Sequence, residues 1–299
     1  MEREPLQPFA HFNAGGPAEL LAIPHSREAV VHVARQAIAQ GVPLYVVGQM
    51  SNILVSDAGL PGVVMLLGQS YARTMVQGTV ITAETGIWLS RLASLAAQHH
   101  LSGLSFASGI PGTLGGSILI NAGAYDGQFA EIVATTTYMD ANGNIERFRG
   151  EAHQFAYRHS RFVDEPGLIL SATLQLAAHG QNEYENMSEL ALKRRRSQPL
   201  ACPSCGSAFK RPTGYYAGKL IADSGLKGYT HHGASVSSKH AGFIVNDGGA
   251  TASQIAAVFV HVQDEVKKQT GVVLEPEVRF AGHFDHLPEH AHRLKPLFG

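Results

Sequence analysis

Residues 108–125, SGIPGTLGGSILINAGAY, constrain the fold more than any other stretch of the chain. Gly109, Gly112, Gly115, Gly116 and Gly123 crowd into it, with Pro111 between the first two. Glycine at this density lets backbone N–H groups point into one concavity, which suits a pyrophosphate. A Gly-Gly step followed by small residues also lets a flat ring lie against the main chain. A tight, closely packed turn meets the same spacing, and spacing alone leaves both readings open. The Rossmann pattern is excluded: no GxGxxG opens a helix here, and no acidic residue follows a second strand in the required place.

The chain has 299 residues, enough for two or three packed domains and a large core. Its 23 Lys and Arg nearly cancel its 24 Asp and Glu, for a formal net charge of −1. That balance offers no general polyanion surface, so nucleic acid is not an expected partner, while a small anion needs only a local patch. The start, MEREPLQPFAHF, lacks the basic and apolar regions of a secretory signal. No apolar run approaches the ~20 residues of a membrane span. A soluble cytoplasmic protein without a membrane partner is expected. Cys202 and Cys205 form CPSC, with no second pair for a four-cysteine zinc site and no strand-to-helix setting for a redox motif. They are expected to be small buried side chains, and no metal is expected. The histidines of GHFDHLPEHAHRLKP have no helical metal-pair spacing, so a solvated tail is expected.

Local patterns predict a mixed α/β chain. SREAVVHVARQAIAQ reads as an amphipathic helix capped by Ser26 and stopped by Gly41, and VPLYVVG as the strand after it. GTVITAETG reads as a strand, WLSRLASLAAQHH as a helix, and GLILSATLQLA as an alternating strand. TTTYMDANGNIERFRG reads as a hairpin turning at Asn142-Gly143. QNEYENMSELALKRRRSQPL reads as a helix leading into a linker, with a domain boundary near 180–198. The last module opens with GSAFKRPTG. It holds a helix with a Thr251/Gln254 capping box running to Gly271, and closes with VVLEPEVRFAG, where Pro276 favours an edge strand.

Four further segments carry candidate chemistry. GQMSN, residues 48–52, joins two apolar runs and reads either as a phosphate cradle that tolerates Met50 or as an ordinary turn. In YRHSRF, Arg158 beside Tyr157 precedes a strand and can clamp a carboxylate or phosphate; taken alone, a surface arginine is the favoured reading. In CGSAFKRP, Ser207 follows a glycine and lies near Lys210 and Arg211, so it suits a proton donor or an anion contact. It lacks the GxSxG elbow of a hydrolase nucleophile. In LEPEVRF, Glu275, Glu277 and Arg279 share one strand face by period two, either at a reacting centre or as an exposed charge ladder.

In this order along one chain, GIPGTLGGSILINAGAY, YRHSRF, GSAFKRP, AGKLIADSGLKG, VSSKHAGFIVN and LEPEVRF are far more specific together than apart. The set resembles the UDP-N-acetylenolpyruvoylglucosamine reductases, flavoenzymes that make UDP-N-acetylmuramate for peptidoglycan. The likeness runs from Phe12 to Gly282. The short link from YRHSRF to GSAFKRP resembles the family's shorter class, which lacks an extra tyrosine-bearing loop.

The resemblance implies an α+β fold. An FAD-binding fold of the vanillyl-alcohol-oxidase/PCMH type would occupy two subdomains, residues 1–68 and 69–180. A helix and linker over 181–198 would lead to a C-terminal α+β substrate-binding domain over 199–283 and a tail over 284–299. It implies FAD as cofactor, NADPH as co-substrate, a UDP-sugar substrate and a monomer. FAD contacts would come from Gly48, Gln49, Met50, Ser51 and Asn52. Others would come from Gly109, Ile110, Pro111, Gly112, Thr113, Gly115, Gly116, Ser117, Asn121, Gly123 and Tyr125. Arg158, Ser207 and Glu277 would be catalytic: Arg158 and Glu277 at the charge developing toward the substrate carboxylate, Ser207 as proton donor to the adjacent carbon. Tyr157, Lys210 and Arg211 would bind substrate. Members usually carry GxGSN, so Met50 replaces a glycine. A positive φ there would strain it by about 1 kcal/mol or more; a need for room alone would set its side chain against the pyrophosphate. HFNAGG, Asp126 and the Lys210-Arg211 pair are smaller departures. On the residues, a different FAD oxidoreductase of the same fold and a non-catalytic flavin- or nucleotide-sugar-binding protein stay open.

Overall fold

A computed structural model describes residues 1–165, 167–178 and 182–297. The chain forms two compact units that interleave in sequence. One is built from Met1–Leu21, Met50–Gly62 and Arg194–Lys295; the other holds Ala22–Gln49 and Val63–Lys193. The expected boundary residues 180 and 181 lie outside the described residues.

Strand β1 (Glu2–Pro5) pairs antiparallel with β2 (Pro17–Ala22). Helix α1 (Arg27–Gln40) begins and ends where its sequence predicts: Ser26 Oγ accepts the Ala29 N–H at 3.2 Å, and Gly41 takes φ +62°. Next come β3 (Leu44–Val47), β4 (Ile53–Val55) and β5 (Leu60–Leu66). The end of β5 runs parallel to β3, from Leu44 opposite Val63 to Val47 opposite Leu66. A buried parallel pair explains why VPLYVV is apolar rather than alternating.

Strands β6 (Thr74–Gln77) and β7 (Val80–Glu84) form a hairpin ahead of α2 (Leu89–Gln98) and β8 (Leu101–Ser102). The glycine-dense segment supports only a short helix, α3 (Leu114–Leu119), and the small hairpin β9 (Gly123–Ala124) and β10 (Gly127–Gln128). The expected hairpin is β11 (Val133–Asp140) and β12 (Ile145–Arg149), where Asp140 Oδ1 accepts the N–H groups of Asn142 and Asn144 at 2.9 and 2.8 Å. After α4 (Arg161–Asp164) comes β13 (Gly167–Gln175). These strands make an antiparallel sheet in the order β12-β11-β13-β7-β6, whose core includes Ile81, Leu92, Leu114, Phe129, Tyr138 and Leu174. Strand β14 (Ala177–Ala178) pairs with β8, and α5 (Glu183–Ser197) follows.

The remaining elements are α6 (Ala217–Asp223), β15 (Thr230–His231), β16 (Ala234–Val236), β17 (Ile244–Asn246), α7 (Ala252–Thr270), β18 (Arg279–Ala281) and β19 (His292–Leu294). Phe259 of α7 anchors their core, with ring centroids 6.4 Å from Phe12 and 5.4 Å from both Phe209 and Phe280. Among the described residues no helix is long and apolar enough to cross a membrane.

Two expectations are corrected here. The closing strand is only β18, and it lies between β4 and β19, parallel to both, rather than at an edge. Pro276 instead sits in an isolated bridge opposite Phe209. The histidine-bearing tail is also folded. Phe284 is buried, β19 pairs with β18, and the buried Gln263 donates to the Leu274 and Glu289 carbonyls at 2.6 and 2.9 Å. A side chain from α7, far away in sequence, supplies the hydrogen bonds that the polar tail lacks locally.

Helix α7 starts with the predicted capping box and with a second acceptor that the sequence did not reveal. The Asp57 carboxylate accepts the Ala252 and Ser253 N–H groups at 2.7 and 2.9 Å. Burial pushes this carboxyl up, but hydrogen bonds from Ser253, Ala252 and Thr251 outweigh it and hold it below its ordinary value. Asp57→Ala is expected to cost about 1–2 kcal/mol in urea unfolding at neutral pH. Because the folded state binds this proton less readily than the unfolded one, the contribution is present above the unfolded carboxyl's pKa. It is lost as pH falls through the folded one, so the gap between variant and parent closes in strong acid.

Candidate functional site

The glycine-dense segment uses its glycines in two ways. Gly115 is closely packed: its N–H donates to the Thr85 carbonyl at 3.0 Å, and an added Cβ would come within 2.9 Å of Thr85 Cβ. Leu114 N–H donates to the Ile87 carbonyl at 3.0 Å, so the turn is sewn to the residues after β7. A Cβ on Gly48 would collide with Thr113 Oγ1, which brings the first residue of GQMSN against GIPGTLGG. Gly116 differs. It is exposed, an added Cβ would meet nothing nearer than Thr113 Oγ1 at 3.8 Å, and among the described residues its N–H has no protein acceptor.

Several predicted contact residues have their side chains committed to the protein. Ser117 Oγ donates to the Thr113 carbonyl at 2.9 Å. Asn121 is 2 % exposed at φ +43°; its Nδ2 donates to Gln128 Oε1 and the Ala156 carbonyl, both at 3.0 Å, and its Oδ1 accepts from Ala130 N–H at 2.9 Å. Gly123 lies against Gly127, whose carbonyl an added Cβ would approach to 2.8 Å. Tyr125, at φ +56°, is exposed and donates to the Leu190 carbonyl at 3.1 Å. Gly109 and Ile110 are half-buried, Pro111 is exposed, and Gly112 takes φ +147°.

Tyr157 and Arg158 do not lead into a strand. They form the tip of a two-residue turn closed by Ala156 and His159, which exchange N–H···O bonds of 3.0 and 3.2 Å, and α4 follows. The turn is pinned by Asn121 and by Ser160 Oγ, which donates to the Leu119 carbonyl at 2.7 Å. Arg158 has φ +55°, which costs a non-glycine residue about 1 kcal/mol and persists only where the surroundings impose it. Its guanidinium lies 5.1 Å from the Tyr157 ring centroid.

The other unit gathers the end of GQMSN, CGSAFKRP and LEPEVRF. The Cys205 thiol donates to the Met50 and Ile53 carbonyls at 3.7 and 3.6 Å, and burial pushes its pKa up. Asn52 Nδ2 donates to the Glu277 carbonyl at 3.1 Å, while Arg279 N–H donates to the Asn52 carbonyl at 3.0 Å. Residues 208–210 and 275–277 run antiparallel: Glu277 N–H donates to the Ala208 carbonyl at 2.9 Å and Lys210 N–H to the Glu275 carbonyl at 2.8 Å. On its other side the segment bridges Phe243 through Ser207, so the exposed Ser207 is presented from backbone held on both flanks. Leu274, Pro276, Val278 and Phe280 are buried and Glu275, Glu277 and Arg279 half-buried, which is the predicted alternation. Lys210 Nζ pairs with Glu275 Oε1 at 2.6 Å, and the Arg211 guanidinium stacks 4.0 Å from the Tyr216 ring centroid. Two ties were missed by sequence reasoning: Glu275 to Lys210, which had a signal in the period-two step from Glu277, and Asn121 to the Ala156 carbonyl, which had none.

These residues carry a family signature. Residues 198–281 match the model of the UDP-N-acetylenolpyruvoylglucosamine reductase C-terminal domain, and 18–149 match an FAD binding domain. The chain is 42 % identical over 280 residues to the UDP-N-acetylenolpyruvoylglucosamine reductase of Caldanaerobacter subterraneus subsp. tengcongensis, covering 93 % of this chain and 92 % of that protein. The chain belongs to the UDP-N-acetylenolpyruvoylglucosamine reductase family. The reductase of Pediococcus pentosaceus is 44 % identical, with 94 % of both chains covered. The crystal structure of the Thermus caldophilus reductase superposes with a TM-score of 0.79 at 31 % identity, over 93 % of this chain and 98 % of that one. Like its family, the chain is an FAD-dependent oxidoreductase built from an FAD-binding fold and a C-terminal α+β domain.

The residues present fit the flavin. Gly116 leaves open a place that any side chain would fill, beside Thr113 and Gly48. Met50 answers the question posed by its replacement of a family glycine: it has φ +51°, and its side chain is 2 % exposed, turned into the protein. The position is the strained alternative, with the left-handed backbone retained and the added side chain buried. Restoring glycine relieves about 1 kcal/mol of backbone strain but removes a buried methionine, a loss of roughly 2–5 kcal/mol. Met50→Gly is therefore expected to destabilise the protein by about 1–4 kcal/mol in urea unfolding. A gain in stability would show that the backbone strain dominates.

Proposed function

We propose that the chain reduces the enolpyruvyl ether of UDP-N-acetyl-3-O-(1-carboxyvinyl)-glucosamine to UDP-N-acetylmuramate, with NADPH as electron donor, in peptidoglycan synthesis. The observation that carries this reading is the pairing of the Ser207–Lys210 and Glu275–Glu277 segments, tied through Asn52 to the GQMSN turn. Bound FAD supplies a two-electron relay between NADPH and the sugar nucleotide. The backbone around Gly48, Gly112, Thr113 and Gly116 binds its phosphates. Ser117 and Asn121 belong to the same cofactor-binding segment, and their side chains also brace its backbone.

Arg158 acts where negative charge develops toward the substrate carboxylate, and its imposed left-handed backbone aims the guanidinium. Ser207 donates the proton that ends on the carbon bearing that carboxylate; as a weak acid it needs activation or rapid reprotonation of its alkoxide by water. Glu277 works in a protonated or cation-bridged form, since a bare carboxylate repels the intermediate. Tyr157, Lys210 and Arg211 hold the sugar nucleotide. The proposed form of the enzyme is a monomer. We assign the enzyme to the cytoplasm, where NADPH and nucleotide sugars meet, with cell-wall formation, and through it cell shape and division, as the process served.

The test is an absorbance spectrum of purified protein, with anaerobic addition of NADPH and then of the enolpyruvyl sugar nucleotide. The flavin band should bleach with the first and return with the second. Ser207→Ala should keep the first step and slow the second by about 10²–10⁴-fold. Return of the band at the parent rate would remove Ser207 from the chemistry. A protein that neither holds nor takes up FAD would defeat the whole reading.

A further inference from the structure

We infer that His292, brought by the C-terminal strand β19, is a positioning residue that aims the Lys210 ammonium at the anionic part of the substrate by gripping Glu275. The inference rests on the functional reading above for the identity of that substrate. Three side chains from separate parts of the sequence meet at one oxygen: Glu275 Oε1 lies 2.6 Å from Lys210 Nζ and 2.7 Å from His292 Nε2. Backbone on every side fixes the meeting point. Lys210 N–H donates to the Glu275 carbonyl at 2.8 Å, and His292 is paired in register with Arg279 in the parallel β18–β19 ladder.

The protonation states follow from the contacts. Burial pushes the Glu275 carboxyl up, but the hydrogen bonds from Lys210 and His292 overcome this and hold it below its ordinary value. An ionised carboxylate only accepts, so His292 carries its proton on Nε2 and donates it. Burial first, and then the positive charge of Lys210, keep the His292 imidazole below its usual pKa against the pull of Glu275, with Arg279 adding to the lowering. A neutral imidazole therefore grips the carboxylate without competing with Lys210 as a charge.

A lysine ammonium has three donors and a flexible stem. Glu275 takes one donor and leaves two for a phosphate or carboxylate. Lys210 stands three residues after Ser207 on the same extended segment, within about 11 Å of chain. Without His292, Glu275 is held by Lys210 alone, and both side chains gain rotamers that must be frozen again when the anion binds. A donor that stiffens an ion pair in this way lowers the ordering cost of binding while staying out of contact with the ligand.

The test is calorimetric titration of the FAD-loaded protein with UDP-N-acetylglucosamine, which carries the diphosphate but no enolpyruvyl group. His292→Ala is expected to weaken binding about tenfold, and His292→Gln, which keeps an N–H donor, to restore most of it. In a Lys210→Met background, His292→Ala should have no further effect, because its influence passes through Lys210. A purely structural role would instead lower the urea midpoint and cost the same factor in both backgrounds. Parent-like binding by His292→Ala, an equal loss in both backgrounds, or absence of binding by the parent protein would each overturn the inference. The functional reading fails separately, through lack of flavin reoxidation by the enolpyruvyl substrate, and that result leaves the calorimetric comparison standing.

Discussion

The backbone of residues 50–53 is the point on which the CGSAFKRP and LEPEVRF segments depend. Three donors converge there or leave from it: the Cys205 thiol onto the Met50 and Ile53 carbonyls, Arg279 N–H onto the Asn52 carbonyl, and the Asn52 side chain onto the Glu277 carbonyl. Each bond is modest on its own, roughly 1 kcal/mol net. Together they set the positions of two segments that are far apart in sequence. Cys205 is thus a short, buried donor rather than a redox group. A raised pKa suits that task, since a thiol that keeps its proton can keep donating it.

Four of the site candidates depart from ordinary backbone geometry. Met50, Asn121, Tyr125 and Arg158 all have positive φ without being glycine. Each is held by partners that offset the strain: Met50 through Cys205, Asn121 through its own saturated amide, Tyr125 through Leu190, and Arg158 through the reciprocal Ala156–His159 bonds. Strain of this kind survives where the surroundings over-determine it, and it fixes the direction in which a side chain leaves the backbone.

Much of the fold was legible because its signals are local. Ser26 and Gly41 bound α1, Thr251 and Gln254 open α7, and the Asp140–Asn144 turn closes its hairpin, all within a few residues of chain. Where the reading failed, the deciding contact was remote. The C-terminal histidines looked solvated because the partner that orders their segment, Gln263, sits on α7. VVLEPEVRFAG looked like one edge strand because alternation does not reveal that only Arg279–Ala281 finds neighbours, and finds them on both sides. YRHSRF hid its turn because no glycine marks the positive φ at Arg158.

The sequence by itself determined the element types, the caps, the order of the motifs and, through that order, the family. These properties depend on residue identity and short spacing, which the chain carries whether folded or not. Only the tertiary structure decided which way Met50 points, which glycine stays open and which are packed shut, and where the Asn121 amide finds its partners. It alone brought His292 onto Glu275. Those outcomes rest on hydrogen bonds and close approaches outside the local helix and strand periods, from a few positions apart at Asn121 to 155 between Cys205 and Met50, and residue spacing does not encode them.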